Sequence, residues 1–264
     1  MAIACEVIQK DALEQTVQNL VDELITISPL AQRTIKSVLN QEYKDKEYIV
    51  IDGDSIDGTK EVLEKYKPFV DKIVSENDEG IYHAINKGIK LAKGDIISLI
   101  HGNDMFAHEK VLTDVANNFR NNNNLDILIA DVAFKNKLED NKYIRYYPSK
   151  TFRPWMLRFG YSPPHLSSFF SRNVKKSIGL YNTDFKIAGD FEYFVRCFLK
   201  NKLKYKKLNK CFVYMSLGGV SNRNIKSYLI SSNEINKALK KNSFYSNIIL
   251  TFVRFPLKLI QYLF

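Results

Sequence analysis

The chain is poor in cysteine. Cys5, Cys197 and Cys211 are its only three, with no CxxC pair and no histidine nearby. That spacing argues against a disulfide framework or a cysteine-built zinc site and suits a reducing cytoplasm. Long apolar runs are also missing. No stretch reaches the roughly 20 apolar residues that a spanning helix needs. Where a secretory leader would carry an apolar core, the first 24 residues hold Glu6, Lys10, Asp11, Glu14, Asp22 and Glu23. No GxGxxG follows the first strongly apolar strand, which argues against a nicotinamide dehydrogenase. No internal repeat is apparent.

Acid is scarce in one region. Between residues 196 and 241 Glu234 is the only carboxylate, against Lys200, Lys202, Lys204, Lys206, Lys207, Lys210, Arg223, Lys226, Lys237, Lys240 and Lys241. The net charge of +10 is concentrated there. Such a face is either simply solvated or attracts phosphate-rich partners: anionic lipid, a diphosphate carrier or nucleic acid. No nucleic-acid recognition module is recognisable, and a nucleic-acid reading leaves the acidic clusters unexplained, so no such partner is expected. A hydrophobic content of 45% over 264 residues suits a globular protein with one large core, or one domain with an appendage.

The central stretch is residues 95–106, DIISLIHGNDMF. Its apolar run ends abruptly in His101, Gly102, Asn103 and Asp104, the pattern of a buried strand that presents ligand-binding groups at its carboxyl end. Further strands are expected at 48–51, 72–75 and 126–134, with another at Phe169 and Phe170. Helices are expected at 30–40, 59–66, 81–92, 109–119 and 190–199. Strands alternating with helices predict an α/β protein with a parallel sheet and covering helices. Residues 1–24 carry apolar side chains at helical spacing and predict a helix, and LITIS (24–28) a short strand. From residue 135 tyrosines interleave with Arg and Lys, as in a segment packed on the sheet. The tail, 244–264, is strongly apolar with Arg254 and Lys258 as its only charges and Pro256 dividing it. It suits lying in a membrane interface beside the basic face, with a helix docked on the core as the alternative.

Carboxylates follow the predicted strands: Asp52, Asp54 and Asp57 after the first, Asp78 after the second, and Asp104 after the central one; Asp190 and Glu192 open a helix. In a parallel sheet the clusters share an edge, where they repel unless a cation or hydrogen-bond donors compensate them. Such oxygens suit Mg²⁺ or Mn²⁺ bridging to a substrate diphosphate. Asp57 and Thr59 also read as turn and cap residues, Asp104 and Asp190 also suit helix starts, and His165 could be an ordinary loop histidine.

EYIVIDGDSIDGT, SENDEGIYHAINKGIKLAKGDIISLIHGNDMF and HLSSFFSRNVKKSIGLYNTDFKIAGDFEYFVR, with GGVS at 218–221, resemble in order the signature segments of family 2 glycosyltransferases. They are similar to those of the bacterial enzymes that build O-antigen and capsule repeat units. The resemblance implies a GT-A fold, Rossmann-like with a mostly parallel sheet flanked by helices, over residues 25–221. Its donor half would be 25–134 and its acceptor half 135–221, between an atypical amino-terminal helix (1–24) and a basic, amphipathic helical tail (222–264). It also implies inverting transfer from a nucleotide-sugar to a saccharide; together with the apolar tail and the basic face, this leads to the expectation of a lipid-linked acceptor at the inner face of the cell membrane. Asp52, Asp54 and Asp78 would line the donor pocket. Asn103-Asp104 stands where the family has its acidic pair, so Asp104 would bind Mn²⁺ or Mg²⁺ and Asn103 the sugar-nucleotide. Asp190 would be the base, with His165 and Glu192 on the acceptor side. Two departures stand out: LITIS runs almost directly into the next helix, and Asn103 replaces an acid. They motivate an alternative, a homologue that binds a nucleotide-sugar or a partner enzyme without efficient transfer.

Overall fold

The computed structural model describes residues 2–6, 29–136, 142–216 and 225–254. Apolar strands bounded by turn formers build its sheet: β1 (Ala2–Glu6), β2 (Glu47–Asp52), β3 (Lys72–Ser75), β4 (Ile96–His101), β5 (Asp104–Phe106), β6 (Ile127–Lys135), β7 (Arg145–Tyr147), β8 (Ser168–Ser171) and β9 (Tyr205–Ser216). Their order is β3-β2-β1-β4-β8-β6-β9-β5, with β7 paired to β6. β6 is buried along its whole length, as a strand covered on both faces must be.

Helices α1 (Pro29–Leu39), α2 (Thr59–Tyr66), α3 (Ile81–Leu91) and α4 (Val111–Arg120) follow the predicted positions, α1 with proline at its first turn. Gly88 is buried within α3. Farther on come α5 (Arg172–Ile178), α6 (Gly189–Phe194), which passes into a π turn over Val195–Lys200, α7 (Ile225–Lys241) and α8 (Ile248–Phe252). Phe152, Phe194, Phe198 and Tyr205 pack ring against ring under this region, with centroids 5.2–5.8 Å apart along the chain of contacts.

The structure corrects two expectations. Residues 2–6 form a strand, not the start of a helix; both of its edges are paired, to β2 and to β4. Pairing on both edges fixes this segment between β2 and β4, so the tertiary context overrides the local helical pattern. The remainder of the expected helix and the LITIS strand lie outside the described residues. The sheet is also mixed rather than mostly parallel. Parallel ladders among the described residues join only β2 to β3 and β6 to β9. β1, β5, β7 and β8 run against the others and break the parallel set apart.

The segment that carries β7 is pinned to β6 by a buried carboxylate. Asp131 accepts from Ser149 N at 2.6 Å and from Tyr146 Oη at 2.8 Å. Burial and the Asp131 charge both push the Tyr146 phenol far above its usual range, so it remains a donor. Tyr146→Phe strips one donor from a buried carboxylate. We expect a loss of about 1.5–3 kcal/mol in urea unfolding; a loss within error of zero would show that Asp131 does not anchor this segment.

Candidate active site

β2 ends in Asp52, which is fully buried. Ser55 Oγ donates to one carboxylate oxygen at 2.5 Å; Ser75 Oγ, at 2.7 Å, and Ser55 N, at 3.1 Å, donate to the other. Burial pushes this carboxyl up, but the three hydrogen bonds together hold it below the ordinary range, as a carboxylate. Ser75 reaches it because Asp52 and Ser75 are register partners on β2 and β3.

The following turn brings in Asp78. A Cβ built on Gly53 would lie 3.4 Å from Asp78 Oδ2, so the Asp78 carboxylate covers the backbone next to Asp52. The other oxygen, Oδ1, pairs with Lys87 of α3, which also reaches Glu76 at 2.8 Å. Oδ2 itself is buried and has no hydrogen-bond partner. Asp54 takes the left-handed backbone conformation (φ 63°), points to solvent and pairs with Lys60. Asp57 accepts from Thr59 Oγ1 at 2.6 Å and from Thr59 N at 3.2 Å, the capping role that turn chemistry suggests.

From this turn α3 leads across to Asp190. In its first helical turn Tyr82 donates its hydroxyl proton to Ile187 O at 2.7 Å and accepts from Gly189 N at 2.8 Å and Asp190 N at 3.2 Å. One donor and two lone pairs are thereby used in full. The Asp190 carboxylate lies 3.4 Å from the same hydroxyl and accepts from Phe191 N at 2.8 Å. Burial, and then the Asp190 charge, push the Tyr82 phenol well above its usual range. Gly189 is required here, since a Cβ would lie 2.7 Å from the Tyr82 ring. One turn on, Asn86 takes both backbone groups of Tyr181, at 2.8 and 2.9 Å. From the opposite side Glu234 of α7 accepts the N–H groups of Lys186, Ile187 and Ala188 at 2.8–2.9 Å.

Asp104 lies across the sheet edge. Ala2 is the register partner of both Ile51 and His101, so β2 and β4 end level with each other, roughly 10 Å apart across β1. Thr34 Oγ1 of α1 donates to Asp104 O at 2.7 Å and lies 3.3 Å from His101 O, fixing the turn between them. Asp104 pairs antiparallel to the end of β9, whose Ser216 N donates to its carboxyl at 3.2 Å. Burial pushes this carboxyl up to about 7, with only that N–H working against it. Asn103 beside it is exposed.

Two acceptor-side expectations have a different setting. His165 is half-buried, 2.8 Å from Tyr181 Oη and with its ring 6.3 Å from that of His101. Burial lowers His165 to about 4 and His101 to about 3, so both are neutral near pH 7. His101 Nε2 has no hydrogen-bond partner. Glu192 is buried at 3% exposure, held at 3.0 Å from Arg196 Nε by both oxygens and at 3.1 Å from Asn242 Nδ2. Its oxygens are committed to packing α6 on α7, so the placement corrects the expectation that it meets an acceptor. Thr34, Ser75, Tyr82, Asn86, Ser216 and Glu234 emerge only in three dimensions.

No group of three or more His, Cys, Asp or Glu among the described residues could cage a metal. Asp104 fits a divalent cation in a different way. Mg²⁺-type sites commonly use one or two carboxylates and take their remaining oxygens from substrate phosphates and water. A lone buried carboxyl with a raised pKa is suited to such a cation, which would replace its proton.

Residues 28–191 match the family described as Glycosyl transferase family 2. The chain belongs to that family. A PGL/p-HBAD biosynthesis glycosyltransferase of Mycobacterium bovis is 23% identical over 202 residues, covering 75% of this chain and 76% of the relative. An uncharacterized glycosyltransferase of Mycobacterium tuberculosis is 32% identical over 169 residues, 64% of this chain and 63% of that one. Among solved structures, S. aureus TarS 1-349 in complex with UDP-GlcNAc superposes with a TM-score of 0.60 at 17% identity, over 79% of this chain and 62% of that 1-349 chain. The mannosyltransferase PcManGT from Pyrobaculum calidifontis, in complex with GDP-Man and Mn²⁺, gives 0.57 at 16%, over 82% and 61%. This chain thus spans about three fifths of either solved structure. The family 2 fold is the GT-A type, with the mixed sheet described above.

Two outcomes follow from this geometry. Tyr82→Phe keeps the ring and removes the hydroxyl, leaving the Gly189 and Asp190 N–H groups without their acceptor. It should cost about 1–3 kcal/mol in urea unfolding and speed amide exchange at both residues; unchanged exchange would mean that the hydroxyl does not hold this loop. Asp104 has a folded pKa above its unfolded value. Its stabilising contribution is therefore full below about pH 4 and lost as pH rises through about 7. In EDTA, the melting temperature of Asp104→Asn should fall less between pH 5 and pH 8 than that of the unsubstituted chain. Parallel profiles would show that the buried carboxyl does not titrate in this window.

Proposed function

We propose that this family 2 member transfers a glycosyl group, with inversion, from a nucleotide-sugar to a saccharide acceptor carried on a lipid. The setting would be cell-surface polysaccharide assembly at the inner face of the cell membrane. The observation that carries the donor side is the unpartnered, buried Asp78 Oδ2 over Gly53, beside the Asp52 carboxylate. Buried acceptors without donors are uncommon in folded proteins, and a ribose hydroxyl or a base N–H would satisfy this one. Ligands in open α/β sheets bind in this position, beyond the carboxyl ends of strands. Solved relatives of the same fold carry UDP-GlcNAc and GDP-Man.

In this reading Asp52 and Asp78 hold the nucleoside, and Asn103 reaches the sugar-nucleotide. Asp54, turned to Lys60, is left at the rim. Asp104 would hold Mn²⁺ or Mg²⁺, which, when bound, neutralises charge on the departing diphosphate. Asp190 takes the proton of the acceptor hydroxyl as that oxygen bonds to the anomeric carbon and the bond to the diphosphate breaks. Tyr82 keeps the Asp190 carboxylate in place, and attack from the face opposite the diphosphate inverts the centre. His165 stands behind the acceptor side, within the aromatic cluster of Tyr181 and Phe194. A lipid-borne acceptor is supported by a cholesterol galactosyltransferase of Borreliella burgdorferi, 36% identical over 98 residues, 36% of this chain and 27% of that one.

The test combines binding and turnover. A thermal-shift panel of UDP-, GDP- and dTDP-sugars with Mn²⁺ should single out one nucleotide. Asp190→Asn should keep that donor-induced shift and lose transfer on the order of 10²–10⁴-fold. Turnover at the unsubstituted rate removes Asp190 as the base. Donor binding without any transfer by the unsubstituted chain favours the homologue that binds but does not react.

A further inference from the structure

We infer that the outer face formed by α7 and α8 is a docking surface for an anionic phospholipid bilayer. α7 turns Lys237, Lys240 and Lys241 outward, and together with Asn233, Asn236, Asn247 and Ile249 they line a cleft of about 990 Å³. No carboxylate lines it. Lys241 is drawn to Asp184 at 3.0 Å and Lys237 lies 5.3 Å from the centre of the Phe185 ring, which leaves a net positive mouth. Beside the cleft Ile249 is 80% exposed, Tyr245 70% and Phe252 50%. Their neighbours Thr251 and Arg254 are buried against the rest of the protein, so α8 is anchored on one side and apolar on the other.

Lysines around exposed aliphatic and aromatic side chains form the pattern of an interfacial helix: the apolar groups enter the acyl boundary while the cations meet lipid phosphates. No helix among the described residues is long and apolar enough to cross a membrane, so the contact is lateral. A second copy of this chain fits less well, because a symmetric contact would bring these lysines against one another. The face is also coupled to the cleft. Glu234, on the same helix as Lys237, holds the three N–H groups that precede Gly189 and Asp190. Docking α7 on a membrane therefore sets the height and orientation of the Asp190 loop above the lipid surface. This deepens the lipid-borne acceptor reading, but it is tested without donor or acceptor.

The experiment is co-sedimentation of the full chain with phosphatidylcholine vesicles, with and without phosphatidylglycerol. We expect partition onto the anionic vesicles only, weakening as salt rises. Lys237→Glu with Lys240→Glu should reduce it by on the order of tenfold or more, and Ile249→Asp should reduce it at low and high salt alike. All three positions are exposed, and unchanged melting temperatures without vesicles will show that the fold is intact. Equal partition onto both vesicle types, or partition indifferent to these substitutions, overturns the proposal. So does a concentration-dependent dimer that Ile249→Asp dissolves while vesicle binding is absent. Transfer to a soluble acceptor should be unchanged in these variants, so a failed docking face and a failed transferase reading give different results.

Discussion

The hydroxyl of Tyr82 joins the two halves of the cleft. α3 begins just after Asp78, and its first turn holds the peptide groups around Asp190, 105 to 108 residues away in sequence. Asn86 repeats the grip one turn later on Tyr181. Two consecutive turns of one helix thus define where the Asp190 loop lies relative to the sheet edge that carries Asp52 and Asp78. Gly189 allows the approach, because any side chain there would displace the ring that carries the hydroxyl. Positioning by a packed aromatic ring is stiffer than by a flexible acid or lysine, since few rotamers remain once the ring is buried.

Each carboxylate brought to this region is compensated differently, and the difference suits its role. Asp52 receives neutral hydrogen-bond donors, from Ser55 and Ser75, which hold it as a carboxylate. Asp78 spends one oxygen on Lys87 and keeps the other uncommitted. Asp104 receives a single backbone N–H, too little to offset its burial, so a proton or a cation must complete it. Glu192 is fully compensated by Arg196 and Asn242 and has nothing left to offer a substrate. A fully satisfied buried pair is a packing element, whereas a partly satisfied carboxyl at a strand end is reactive capacity.

The donor-side strands and helices were legible because their apolar residues alternate with turn formers at short range. Lys72–Ser75 and Thr59–Tyr66 fall where the pattern puts them. β1 and β9 were not. The ladders of β1 depend on strands about 50 and 100 residues away, and no local periodicity encodes a partner. β9 opens with a lysine-rich half, half-exposed, that reads as a solvated basic stretch; only its apolar end near Phe212 and Val213 carries a strand signal. The cost of missing β9 falls on the site, since Ser216 at its end is what touches the Asp104 carboxyl. Glu192 and Arg196 were within reach of sequence, because a Glu–Arg pair four residues apart shares a helix face. Tyr82 was not, because nothing local distinguishes a core tyrosine from one that holds a distant loop.

The single acid of the basic carboxy-terminal region shows how that region serves the site. Glu234 stands among lysines that face solvent, yet its oxygens are turned inward to three consecutive backbone N–H groups. A carboxylate satisfied by backbone donors does not need a lysine partner, so the surrounding cations remain available to an external anion. One helix can then present net positive charge outward, with only Lys241 among its outward lysines meeting a carboxylate, that of Asp184, while its inner face fixes the Asp190 loop. Distributing those lysines over several separate elements would give the same net charge, but it would not tie the orientation of the charged face to the position of the Asp190 carboxylate.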